Sequence, residues 1–162
     1  NQILKVTGGV PVWATPAATA QKIIQVVNYT YNTSTSIATT TYTDSGLSGA
    51  ITPTLATSTI LVIITQNGRL NLTTNYNYVS SRLLRDATAI TTYADNYLAA
   101  SFTGPTAVYV GGLLTWTWLD SPATTSSVTY KPQYKLQHTT NSAFVCQSDS
   151  VYSTITLIEV GA

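Results

Sequence analysis

The chain has 162 residues, enough for one domain with a buried core, and a formal net charge of +1. Only 8% of its residues are charged and its seven Lys and Arg are scattered, which excludes a basic track for nucleic acid. The single Cys146 excludes an internal disulfide, and the longest apolar run, Ile60 to Ile64, is too short for membrane insertion.

The composition favours strands over helices. Eleven Tyr, three Trp and abundant Thr, Val and Ile fit the half-buried surface of a pleated sheet. Thr and Ser make up more than a quarter of the chain, so hydroxyl groups supply the solubility that charges do not. We therefore predict an all-β fold.

Residues 1–20 predict an extended linker or shaft segment, followed by a folded unit at residues 21–162. Two Gly and two Pro interrupt the short apolar pieces of this segment. Its apolar side chains, Trp13 among them, would be exposed on a lone monomer, whereas three such segments wound together could bury them. The segment therefore points to self-association.

Strand signals recur along the rest of the chain at spacings of 8 to 15 residues. They predict nine or ten antiparallel strands, which is typical of a β-sandwich or jelly roll. The predicted spans are Lys22–Tyr31, Ile37–Thr43, Leu47–Thr52, Ser58–Gln66, Tyr78–Asp86, Thr88–Tyr93, Tyr97–Phe102, Ala107–Leu119, Ser127–His138 and Ser153–Val160.

Two Gly-containing residue pairs predict specific backbone features. Asn67-Gly68 predicts a tight turn after the central strand, which we expect to be buried on both faces, and Leu70 to Tyr76 then predicts a long loop. Gly111-Gly112, inside a long strand, predicts either a bulge or a close approach of two backbones. In that strand Trp116 and Trp118 share one face, which favours burial in the core or in a subunit interface, as for Trp13.

Catalytic chemistry has few candidate groups. The single imidazole, His138, lies in a polar stretch, and no nucleophile-elbow pattern accompanies it. Glycoside cleavage needs paired carboxylates, and of the six acidic residues Asp86 and Asp95 are the pair to consider. Asp86 is better explained as a charge partner of Arg82 and Arg85. We predict a protein that is not an enzyme and holds no metal or cofactor.

Sugar binding has better candidates. Aromatic rings under the C–H faces of a sugar, together with amide and guanidinium donors, hold it in place. The stretch NGRLNLTTNYNY supplies such groups in one predicted loop region: Arg69, Asn71, Asn75, Tyr76, Asn77 and Tyr78. A second candidate pair, Tyr93 and Tyr97, flanks a predicted turn at residues 94–96. A solvated Asn-rich hairpin, or packing of Tyr76 and Tyr78 against another subunit, is the alternative interpretation.

The chain also resembles a known family. Its opening, QILKVTGGVPVWATP, resembles a motif that precedes the terminal head of phage tail fibres. From Lys22 onward it resembles a head domain of tail-fibre and structural proteins of marine and cyanobacterial phages. That resemblance rests on the order and spacing of TSIATTTYTDSGLSGAITPTLATSTILVIIT, SRLLRDATAI, WLDSPATTSSVTYKPQYK and STITLIEVGA.

The resemblance implies a virion appendage whose head is similar to the trimeric jelly rolls of the complement C1q and tumour necrosis factor type. It supplies no catalytic residues. We expect a homotrimer that docks other virion proteins through its N-terminal segment and binds a host surface glycan or protein through distal loops. A capsid decoration or knob protein with a purely structural role, and a polysaccharide depolymerase, are the alternatives.

Overall fold

A computed structural model describes residues 2–14, 22–73, 75–102, 107–140 and 142–161. These residues form strands and one short 3-10 helix at Ser148–Ser150, which confirms the all-β prediction. The strands are β1 (Ile3–Thr7), β2 (Val10–Ala14), β3 (Ile23–Tyr31), β4 (Thr35–Ile37), β5 (Thr43–Asp44), β6 (Gly49–Ile51), β7 (Thr59–Leu72), β8 (Asn75–Arg85), β9 (Thr88–Phe102), β10 (Val108–Asp120), β11 (Val128–Leu136), β12 (Ser142–Cys146) and β13 (Ser153–Val160).

The main strands form a jelly roll. Four antiparallel pairs are nested along the chain: β8 with β9, β7 with β10, β6 with β11, and β3 with β13. A long hairpin rolled up on itself produces this nesting, and it divides the strands between two sheets. The six-stranded sheet contains β3, β13, β7, β10, β12 and β4, and the five-stranded sheet contains β5, β6, β11, β8 and β9. The predicted antiparallel β-sandwich is confirmed.

The N-terminal segment forms a separate two-stranded sheet of β1 and β2. Its turn is Gly8-Gly9, where both residues have positive φ angles, of 60° and 80°. Leu4 and Trp13 on this hairpin are 60% and 68% exposed. Asn1 and residues 15–20 of the predicted linker lie outside the described residues, as does residue 21, so the domain boundary stays a prediction.

The central strand is β7, and its burial differs between its two faces. Every second residue from Ile60 to Leu72 is buried against the other sheet, and the residues between them are half-buried. The prediction of a strand buried on both faces is therefore wrong for the chain on its own. One face of β7 lies in the core, and the other lies on the outer surface of the six-stranded sheet.

The Asn67-Gly68 pair lies inside β7 and makes no turn. β10 continues its pairing with β7 past this point, β12 pairs with β7 from Leu72 to Gly68, and the φ of Gly68 is not positive. Glycine is needed at position 68 for a different reason, because a Cβ there would lie 2.2 Å from Cζ of the Phe144 ring. The predicted loop from Leu70 to Tyr76 is also wrong, since β7 and β8 cover most of it and belong to different sheets.

The other two predicted interruptions also fall within strands. β10 pairs with β7 without a register shift, so the bulge predicted at Gly111-Gly112 is absent from this described pairing. Close backbone approach explains Gly111, whose Cβ would lie 2.7 Å from the Gly68 carbonyl oxygen. The turn predicted at residues 94–96 is replaced by a bulge in the continuous β9, opposite Val79 to Ser81.

One predicted strand, Ile37–Thr43, is divided. β4 ends at Ile37 and β5 begins at Thr43. Between them the Thr41 amide donates to Thr39 Oγ1 and the Thr43 hydroxyl donates to the Thr41 carbonyl, both at 3.1 Å. These local side-chain bonds satisfy backbone groups that a sheet ladder would otherwise use.

The core fills the space between the two sheets. Trp116 is 7% exposed and meets the Tyr134 ring edge-on at a centroid distance of 5.9 Å. Trp118, on the same strand, is 36% exposed. An ion pair joins the sheets at one end: Asp120 on β10 accepts hydrogen bonds from Arg85 on β8 at 2.8 Å and from the Tyr130 hydroxyl on β11 at 2.7 Å. Burial and this bond raise the pKa of Tyr130.

A second buried acid, Glu159 on β13, holds the loop before β7. Its carboxylate accepts hydrogen bonds from the Thr54 amide at 2.7 Å and from Gln25 Nε2 at 2.6 Å, and its side chain is fully buried. Desolvation alone would raise the pKa of Glu159, but the hydrogen bonds from Gln25 and Thr54 outweigh it and hold the pKa at about 2.

The two glycines that face each other across β7 and β10 provide a matched test of core packing. Gly68→Ala should lower the free energy of unfolding by roughly 3 kcal/mol, because the new methyl group collides with the buried Phe144 ring. Gly112→Ala meets nothing within 4 Å and should change stability by less than about 0.5 kcal/mol. Urea denaturation of both variants measures this, and equal losses would contradict the packing.

The lowered pKa of Glu159 leads us to expect a loss of folding stability in acid. Because its folded pKa of about 2 lies below the ordinary 4.5, its stabilising contribution is complete above pH 4.5 and is lost as the pH falls towards 2. We expect Glu159→Gln to cost roughly 3 kcal/mol at neutral pH and to have little effect near pH 2. Urea midpoints measured across that range test this, and a difference independent of pH would contradict it.

Candidate functional site

A cavity of about 420 Å³ lies on the outer surface of the six-stranded sheet, near the end of β7. It is open to solvent, and its wall combines one aromatic ring with amide and hydroxyl groups. The lining residues are Asn71, Thr73, Ala107, Tyr109, Ser142 and Ala143. We call it the Tyr109 cavity.

Strand register brings these residues together. Asn71 on β7 lies directly opposite Tyr109 on β10 and directly opposite Ala143 on β12. The neighbours of Asn71 on β7, Leu70 and Leu72, are fully buried in the core, so Asn71 projects outward. Three strands therefore present one side chain each to the same outer surface.

Arg69 supports the aromatic wall. Its guanidinium lies over the Tyr109 ring, 5.0 Å from the centroid, and its Nε donates to Asn71 Oδ1 at 3.0 Å. Asp149 forms an ion pair with Arg69, with 3.4 Å between its Oδ2 and a terminal guanidinium nitrogen. The Tyr109 side chain remains 62% exposed although Arg69 covers part of it. This arrangement fixes a ring, an amide and a cation before any ligand arrives.

The geometry suits a polar ring-shaped ligand such as a sugar. The Tyr109 ring offers an apolar platform, and Asn71, Thr73 and Ser142 offer hydrogen-bonding groups around it. The cavity is shallow, so a ligand would keep much of its surface in water. The arrangement provides recognition groups of the kind that hold a saccharide.

The structure divides the predicted binding loop between two surfaces. Arg69 and Asn71 belong to the Tyr109 cavity, whereas Tyr76 and Tyr78 lie on the outer surface of the five-stranded sheet. Their rings are 5.9 Å apart and tilted by 55°. The side chains of Asn75, Tyr93 and Tyr97 lie outside the described residues.

Asn77 lies between the two surfaces and is only 2% exposed. Its amide nitrogen donates to the His138 carbonyl at 2.7 Å and to the Ser142 hydroxyl, and its oxygen accepts from the His138 amide at 3.1 Å. These bonds place Asn77 behind the cavity wall, where it orients Ser142 rather than facing solvent.

Sequence reasoning missed Tyr109, Thr73 and Ser142. Tyr109 lies 38 positions from Asn71 in the sequence, and only the register of β7 with β10 brings them together. The alternation of side chains in a strand could have found Tyr109. The run Val108, Tyr109 and Val110 predicts a strand in which Tyr109 lies on the face opposite the two Val side chains.

A second cavity, of about 360 Å³, brings together two carboxylates that the sequence did not pair. Asp44 and Asp86 line it together with Lys131. Desolvation raises the pKa of Asp44, but the hydrogen bonds from Lys131 and Gln133 outweigh it and lower that pKa. Asp86 accepts the Thr129 amide at 2.8 Å and does not act as the predicted partner of Arg85, which pairs with Asp120. A glycosidase acid needs a raised pKa, so Asp44 is unsuited to that role.

The described part of the chain keeps its metal-ligating side chains apart and its cysteine in the core. These residues contain no cluster of three His, Cys, Asp or Glu side chains able to hold a metal ion. Cys146 is buried, and burial raises the pKa of its thiol. No helix formed by these residues is long and apolar enough to cross a membrane.

Comparisons with known proteins give distant matches only. No family model matches the sequence, and no curated protein matches it. Among solved structures, the chain is similar to the T13 particle of infectious bursal disease virus, with a TM-score of 0.39 and 10% identity over 99% of this chain and 42% of that one. The VP2 subviral particle of the same virus gives a TM-score of 0.39 and 11% identity over 99% and 45% of the two chains.

The chain thus spans less than half the length of these viral proteins. Identities below 25% and TM-scores below 0.5 carry no conclusion about function. The nested strand pairs of this chain itself define the jelly roll.

Proposed function

We propose that this chain is a non-enzymatic structural and adhesion domain of a virion appendage, such as a tail-fibre head, which binds a host surface glycan. The Tyr109 cavity carries this proposal, because it offers a fixed aromatic platform surrounded by amide and hydroxyl groups. The resemblance of residues 22–162 to phage head domains supports the virion assignment. A host surface protein is the alternative ligand.

Weak binding at each site is sufficient for adhesion. One ring and a few polar groups on an open surface give low affinity, but repetition across the subunits of a trimer raises avidity by roughly a hundredfold or more. Such a site needs no enclosed pocket. The open shape of the Tyr109 cavity therefore agrees with an adhesive role.

A row of aliphatic side chains favours self-association. Val26, Ile158, Leu61 and Leu119 are direct cross-strand neighbours on the outer surface of the six-stranded sheet. Val26 and Leu119 are 54% and 58% exposed. Burial of this row against other copies of the chain, in the homotrimer that the family resemblance implies, would remove apolar surface from water. A purely structural docking role, in a tail or on a capsid, would use the same row.

Tyr109 variants test the binding site. On an array of bacterial surface glycans, Tyr109→Ala should weaken binding roughly tenfold, because it removes the platform, whereas Tyr109→Phe should retain most of it. Tyr152→Ala is the matched control, since Tyr152 is 59% exposed and does not line the cavity. Glycan binding that Tyr109→Ala leaves unchanged would contradict the site.

Native mass spectrometry tests self-association. The assembly should have a mass three times the 17.3 kDa of one chain. A Val26→Lys/Leu119→Lys variant should be monomeric, because it places charges in the aliphatic row. Leu113→Lys is the control, since Leu113 is 63% exposed on β10 but outside the row. A wild-type monomer would contradict the trimer, and a trimeric double variant would exclude the row as its interface.

A further inference from the structure

The outer surface of the five-stranded sheet carries a pair of like charges. Arg82 on β8 and Lys135 on β11 both approach the Tyr42 ring, with the guanidinium carbon 4.3 Å and the ammonium nitrogen 4.9 Å from its centroid. The two cations are therefore within about 9 Å of each other. We call these three residues the Tyr42 cluster.

Sheet register fixes the cluster in place. Arg82 lies opposite Gln133 and Lys135 lies opposite Ser80, so all four side chains share one face of β8 and β11. Tyr134 and Leu136, the neighbours of Lys135 on β11, are fully buried on the other face. The cations thus stand on two adjacent strands within the sheet, and not on a loop.

No carboxylate among the described residues forms an ion pair with Arg82 or Lys135. Among the described residues the ion pairs are Arg69 with Asp149, Arg85 with Asp120, and Lys131 with Asp44. Arg82 donates its Nε to the Gln133 amide oxygen at 2.8 Å, a neutral partner that orients the guanidinium. The charge of Arg82 contributes to the lowered pKa of Asp44, but that carboxylate is hydrogen-bonded to Lys131 and Gln133 and not to Arg82. Two neighbouring cations that form no ion pair with a described carboxylate favour an external anion.

Aromatic side chains continue along the same face of β8. Every second residue of the strand points to this face, which gives the series Tyr76, Tyr78, Ser80 and Arg82. Tyr76 is 44% exposed. At a rise of about 3.4 Å per residue, the Cα atoms of Tyr78 and Arg82 are ~14 Å apart along the strand. A ligand that reaches both must be extended and must combine ring faces with negative charge.

We propose that this surface binds an acidic polysaccharide, with the Tyr42 cluster holding a uronic acid carboxylate and Tyr76 and Tyr78 contacting neighbouring sugar rings. The guanidinium of Arg82 can pair with both carboxylate oxygens, and Lys135 adds a point charge beside it. This second binding surface is independent of the Tyr109 cavity, which lies on the other sheet. Binding at one surface can fail while binding at the other remains.

A calorimetric titration of the full chain with polygalacturonate tests the proposal. Arg82→Gln/Lys135→Gln should weaken binding at least roughly tenfold and reduce its dependence on salt, because two charge contacts are lost. Lys5→Gln/Lys22→Gln is the matched control, since it changes net charge equally but lies away from the cluster, and it should bind like the wild type. Arg82→Lys should lose only part of the affinity, and Tyr109→Ala none.

Three results would overturn the proposal. One is unchanged affinity in the double variant with an unchanged melting curve. Another is equal binding of neutral dextran of the same length, which would remove the role of charge. The third is preferential binding of single-stranded DNA over polygalacturonate, which would make the surface a general polyanion site. If Arg82→Gln/Lys135→Gln unfolds, the variant Tyr76→Ala/Tyr78→Ala is tested in its place. If this tyrosine variant binds polygalacturonate as tightly as the wild type does, the proposed ring contacts are contradicted.

Discussion

The continuous pairing of β7 is the constraint on which the rest of the structure depends. Its core face supplies the centre of the hydrophobic core, while its edges pair with β10 on one side and with β12 and β13 on the other. Gly68 makes this possible, because a larger residue would collide with Phe144 between the sheets. Since alternation fixes the outward direction of Asn71, the same pairing builds the Tyr109 cavity.

In our proposals, the jelly roll places recognition groups on the outer surfaces of both sheets. On the six-stranded sheet, Arg69 orients Tyr109 beside amides and hydroxyls, and on the five-stranded sheet Arg82 and Lys135 approach Tyr42. Charged side chains are scarce in this chain, and several of them fix loops or join the sheets, as Glu159 and Asp120 do. The positions of the remaining cations are therefore informative about ligands.

The sequence predicts the fold class well because composition and alternation are local properties. Spans such as Lys22–Tyr31 and Ser153–Val160 nearly match β3 and β13. The errors arise where tertiary packing determines the role of a residue: Gly68 is required by the Phe144 ring and not by a turn. The sequence also identified Arg69 and Asn71, but Tyr109 and Ser142 join them through pairing between distant strands, which no local pattern contains.

The most direct test of an adhesive head is a crystal structure of the chain soaked with a glycan selected on the array. The structure predicts that a sugar ring stacks on Tyr109, with hydroxyl groups within hydrogen-bonding distance of Asn71, Thr73 or Ser142. A glycan bound at neither the Tyr109 cavity nor the outer surface of the five-stranded sheet would contradict the account.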